Sequence, residues 1–166
     1  MKSRNQHINT VSLLTSIVKV AGPLKNIPFL PMLIDEQMKF LTFLFRPKRF
    51  LKMQELRRMV TEKLRLETGF HHFGGLEFRY QGKEIAHMHS NGLLDILFPM
   101  KLSSFLIEKG ITGTHHVYPD SGWTSLMIQG TTDVELCFAL IQSKLLLHTG
   151  EIEMKGIMKR FENVPL

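Results

Sequence analysis

Apolar positions repeat with two periods along the chain, and the change from one to the other falls near residue 70. Ile8, Val11, Leu14 and Val18 lie on one stripe at helical spacing, and Gly22-Pro23 stops that helix. Pro28 and Pro31 predict an extended stretch. Residues 34–45 predict a second helix with Ile34, Met38, Leu41 and Phe45 on one face and Asp35 and Glu36 in its first turn. Phe40, Phe43 and Leu44 widen its apolar surface, so this helix is expected to be well covered. Arg46-Pro-Lys-Arg ends it. Met53, Leu56, Val60 and Leu64 mark a third helix, which Gly69 can close.

The period then becomes two. Leu76 to Tyr80 alternates as a strand, Gln81-Gly82 turns, and Glu84 to His89 returns as its partner. Asn91-Gly92 turns again into a third strand over 93–98. Leu102, Phe105 and Leu106 predict a short helix ended by Lys109-Gly110, and residues 123–128 a fourth strand. Thr132 and Glu135 have the spacing of a capping box before a helix over 134–147 that is apolar on most sides. Short turns favour antiparallel pairing. The expected fold is therefore α+β: an antiparallel four-stranded sheet in the order α-β-β-β-α-β-α, with helices on one face. Residues 1–50 form an N-terminal helical arm, 51–150 the domain, and 151–166 a C-terminal tail.

Alternation also sorts side chains by face. Leu94, Ile96 and Phe98, with Leu126 and Ile128, belong against the helices. That leaves Asp95, Trp123 and Ser125 on the freer face. Ile85, His87 and His89 join them if Ala86 and Met88 point to the core. His115-His116 stand in the loop that leads to Trp123, the only tryptophan. Three histidines and an aspartate fit a general acid/base set, because imidazole titrates near neutrality. They also fit a divalent metal held by His87, His89, Asp95 and His116. A solvated set without a site is the plain alternative. His71-His72 read as solvated, and His7 and His148 have no partners nearby in sequence. Ser121 and Ser125 lack the elbow of a serine hydrolase. Phe73-Gly-Gly75 lacks the spacing of a nucleotide loop.

Charge narrows the classes. The 166 residues carry a net +6, unevenly spread. Residues 1–53 hold nine Lys or Arg against two acids, and the rest hold twelve against thirteen. Cations are thus not gathered around the histidines, which argues against a nucleic-acid groove there. A single cysteine, Cys137, excludes an intrachain disulfide and fits a reducing, cytoplasmic setting; its apolar surroundings mark it as a core residue. Met1-Lys-Ser-Arg before the apolar 11–21 resembles a short signal peptide. Thr15, Ser16 and Lys19 interrupt that run, and it is too short to span a bilayer, so no transmembrane segment is expected. Weak membrane-surface contact of the arm stays open beside docking on the domain.

From about Gly74 to Leu147 the chain resembles the luciferase-domain family, which includes fungal luciferase. The resemblance rests on Lys-Glu-Ile-Ala-His-Met-His (83–89), Leu-Asp-Ile-Leu-Phe-Pro (94–99), His-His-Val-Tyr-Pro-Asp-Ser-Gly-Trp (115–123) and Thr-Asp-Val-Glu (132–135). It implies an oxidoreductase acting on a flat phenolic or enol small molecule with dioxygen and no bound cofactor. By matching position, His87, His89 and His116 become the acid/base candidates and Trp123 the wall against which substrate lies. Ser125 and His115 become further substrate-binding candidates. Asp95 and the short loop between Gly113 and Trp123 depart from the fungal pattern. The competing expectations are a non-catalytic small-molecule-binding domain with the same pocket and an interaction module whose arm carries the function.

Overall fold

A computed structural model describes residues 30–71 and 74–164. The helix expected over 8–18, the stretch around Pro28, and His7 and His72 lie outside them. Helix α1 (Leu30–Phe45) and helix α2 (Pro47–Leu64) follow each other directly. Arg46-Pro-Lys-Arg therefore ends one helix and starts the next; Pro47 in the first turn of α2 is pre-set for it. Because α1 starts at Leu30, Pro31 falls in its first turn rather than in an extended stretch, and Asp35 and Glu36 lie beyond that turn.

Among the described residues the sheet has six strands, not four. They are β1 (Glu67–Phe70), β2 (Leu76–Tyr80), β3 (Lys83–Met88), β4 (Leu93–Leu97), β5 (Gly113–Thr114) and β6 (Trp123–Met127). Their order is β1-β2-β3-β4-β6-β5, with every neighbouring pair antiparallel. Gly69 does not close a helix. Arg65 does so in the left-handed conformation (φ 55°), and Gly69 pairs with Glu77 inside β1. The other added strand, β5, is two residues long, too short to leave a period. Gln81 and Gly82, both at positive φ, make the tight β2–β3 turn.

Three more helices follow among the described residues: α3 (Met100–Glu108), α4 (Thr131–Thr149) and α5 (Met154–Phe161). The N-terminus of α4 is not capped by Thr132 and Glu135. Asp133 accepts the backbone N–H groups of Gln129 and Gly130 instead. Residues after 151, expected as a tail, fold into α5 and bury Ile157 and Phe161. Leu56 and Val60 of α2, Leu102 and Leu106 of α3, and Cys137, Leu140 and Ile141 of α4 join these two against Phe78, Ala86, Leu94 and Ile96 of the sheet. This is the single-faced α+β arrangement, and Cys137 is a core residue whose burial pushes its thiol pKa up. Ile85, expected on the freer face, is also core. The covering expected for α1 does not hold among the described residues: Leu33, Phe40, Leu41, Phe43 and Leu44 are exposed.

Candidate active site

The register carries one row of polar residues across the sheet. Glu77 faces His87, His87 faces Asp95, and Asp95 faces Ser125. Alternation puts this row opposite Phe78, Ala86 and Leu94, on the face turned away from the core. Trp123 enters the same face two residues before Ser125. Its strand start is fixed by Gly122, whose carbonyl accepts the Phe98 N–H at 3.0 Å. A Cβ at Gly122 would collide with the Phe98 carbonyl, so only glycine allows this approach.

A bulge brings a further residue into the row. Phe78 pairs with Ala86 and Arg79 with Glu84, leaving Ile85 as the extra residue. Glu84 and His87, three apart, would otherwise point to opposite faces. Here Glu84 Oε1 lies 2.5 Å from His87 Nδ1. Sequence alternation could not show this, since a bulge leaves no mark in the pattern.

Asp95 is the centre of the cluster. It is 0 % exposed. Ser125 Oγ donates to its Oδ1. Its Oδ2 lies 2.9 Å from His89 Nε2, 3.4 Å from His87 Nε2 and 3.6 Å from His115 Nε2. Burial would raise the Asp95 pKa, but the facing rings of His115, His87 and His89 outweigh it and hold the carboxyl well below its ordinary value.

Hydrogen-bond roles then follow for each imidazole. His115 Nδ1 accepts the backbone N–H groups of Val117 and Tyr118, both at 3.1 Å, so its proton sits on Nε2 and points at Asp95. His89 must donate from Nε2 to the carboxylate, which leaves the lone pair of the neutral ring on Nδ1. His87 meets a carboxylate at each nitrogen. Burial opposes its charge, yet Asp95 and Glu84 prevail and raise its pKa to about 9. His116 is the opposite case. Burial lowers its pKa to about 4, the neighbouring histidines add to that against the pull of Asp95, and its buried Nδ1 has no hydrogen-bond partner.

The rings form a continuous aromatic surface. His87 lies 5.3 Å and His115 5.7 Å, centroid to centroid, from Trp123. His115 stacks on His116 at 4.6 Å and on Tyr118 at 5.5 Å. All seven residues singled out in the sequence, His87, His89, Asp95, His115, His116, Trp123 and Ser125, thus come together. His71 joins them against expectation: it is buried, not solvated, and stacks on His87 at 4.2 Å. The strand β1 carries it there, and that strand was not legible in the sequence.

Among the described residues, three overlapping sets of side chains have donor atoms close enough for a metal: His87, His89 and Asp95; Asp95, His115 and His116; and His71, Glu84 and His87. His116 groups with His115 rather than with His87 and His89. The His115 proton is committed to Nε2, so a metal there would require an imidazolate. In the set of His87, His89 and Asp95 a cation would have to displace the protons that both rings direct at the carboxylate.

Residues 82–144 match the family model described as Luciferase domain. The resemblance read from the sequence is borne out over that segment. It runs from the β2–β3 turn into α4 and contains Glu84 and all seven residues singled out in the sequence, but neither Glu77 nor His71. No curated protein and no solved structure matches the chain.

Proposed function

We propose that this luciferase-like domain is a small-molecule enzyme working by acid/base chemistry without a resident metal. In this reading the substrate is a flat phenol or enol lying against Trp123. His89 takes a proton from it through Nδ1, and the resulting carbanion is oxidised by dioxygen. The observation that carries the reading is the pairing of His89 with a fully buried Asp95. A buried carboxylate that fixes an imidazole tautomer leaves the other ring nitrogen as an oriented base, as in hydrolase triads. The charged His87 ring supplies positive potential for the anion that forms. Ser125 and His115 hold Asp95 in place. Donors on both oxygens of Asp95 offset its charge without a cation. The single buried cysteine fits a cytoplasmic setting.

The test is oxygen uptake, with product detection by mass spectrometry, on a panel of hydroxylated pyrones and catechols, together with elemental analysis of the same protein. Uptake with some panel member by metal-free protein supports the proposal. Thermal stabilisation by a panel member without product would favour the non-catalytic binding domain. Stoichiometric metal whose removal stops uptake would replace the metal-free mechanism.

A further inference from the structure

Helix α1 packs with its polar stripe inward. At about 100° per residue, Asp35, Met38 and Thr42 share one face. Asp35 and Thr42 are buried, and Met38 is half-buried. The Asp35 carboxylate accepts the Ser90 hydroxyl at 2.5 Å and the Ser90 backbone N–H at 3.2 Å, which pins the helix to the β3–β4 turn. The opposite stripe is apolar and open: Leu33 is 59 %, Phe40 62 %, Leu41 49 % and Leu44 54 % exposed. Phe45 and Leu51 extend this surface past the junction with α2 at 72 % and 65 %. A domain burying its own apolar surface would turn this helix about half a revolution. The buried bond to Ser90 holds it as it is.

Charge selects the occupant. Within the described residues 30–53, five Lys or Arg stand against two acids, so the apolar stripe lies on a segment of net positive charge. Arg46 and Lys48, at the α1–α2 junction, are exposed. One of the two acids is committed to Ser90, and the other, Glu36, pairs with Lys39 at 3.4 Å. Two copies meeting face to face across this stripe would bring like charges together. An anionic surface would neutralise them. No described helix is long and apolar enough to cross a membrane, and α1 has 16 residues, so contact of this kind is interfacial.

We propose that α1 lays its outward apolar stripe into the surface of an anionic lipid bilayer, with Arg46 and Lys48 against the headgroups. The proposal does not depend on the reaction assigned to the site on the sheet. Flotation of the full chain with phosphatidylcholine vesicles, with and without phosphatidylserine, tests it. Binding is expected to the anionic vesicles only and to weaken with salt. The double variant Phe40→Glu, Leu44→Glu should abolish it. Arg46→Glu with Lys48→Glu should weaken it at least about ten-fold, since each cation near such a surface contributes roughly five-fold. Absence of binding overturns the proposal. So does a dimer of the full chain that Phe40→Glu, Leu44→Glu dissociates, which would give the stripe to a second copy. A monomer that ignores vesicles and is destabilised by the same substitutions also overturns it, by giving the stripe to the first residues of the chain.

Discussion

Glu84 and His87 meet on one face of the sheet only because Ile85 bulges out of the ladder, and their side chains close to 2.5 Å. The bulge places a second carboxylate on a histidine that already faces Asp95. Asp95 and, after it, Glu84 outweigh burial and raise the His87 pKa to about 9.

Glu84→Gln keeps the shape and removes the charge. The His87 pKa should then fall from about 9 toward its ordinary value, read directly by NMR titration of the ring. A loss of stability of about 1.5–3 kcal/mol is expected, the range for a hydrogen bond to a charged group. An unchanged His87 titration would remove Glu84 from the network.

Stability should depend on pH from two sides. The folded pKa of His87 is raised, so its contribution is full below about 6.5 and is lost as pH rises through about 9. A shift of that size is worth on the order of 3 kcal/mol at most. The folded pKa of His116 is depressed to about 4, so the folded state resists its protonation and loses stability as pH falls from about 6.5 toward 4. Urea midpoints measured from pH 4 to 10 should peak near pH 6.5. The alkaline decline should flatten in His87→Gln and the acid one in His116→Gln.

Gly122→Ala places a methyl group against the Phe98 carbonyl. The start of β6 must move, at a cost of about 1–3 kcal/mol. Because Trp123 is the next residue, its fluorescence should report the shift. Unaltered emission and stability would show that the strand start has room.

Phe161→Ala tests whether the last helix belongs to the domain. Phe161 is buried against the common core, and its truncation should cost about 3–5 kcal/mol in chemical denaturation. A loss below about 1 kcal/mol would mean that α5 is only loosely attached.

The strands on which the site stands were legible because His87, Asp95 and Ser125 lie on regular alternating segments with turn residues between them. The convergence of these residues follows from period two alone. What escaped has particular causes. The bulge at Ile85 breaks alternation without altering composition, so Ile85 was placed on the wrong face and the contact of Glu84 went undetermined. Strand β1 is four residues with a glycine inside, and Gly69 has the pattern of a helix cap, so nothing in the sequence marks His71 as carried into the site. The covering expected for α1 failed because Asp35, an acid with a specific partner in Ser90, outweighed the apolar stripe in setting the orientation of the helix.

The central claim is that His89, oriented by Asp95, removes a proton from a substrate that then reacts with dioxygen. It is tested most directly by comparing oxygen uptake by the purified chain and by His89→Ala on the best panel substrate, at pH 7.5 in the presence of chelator, with circular dichroism confirming that both are folded. The account predicts uptake by the unaltered chain and a fall of roughly 10²–10⁴-fold in the variant. Equal rates in the two proteins would contradict it.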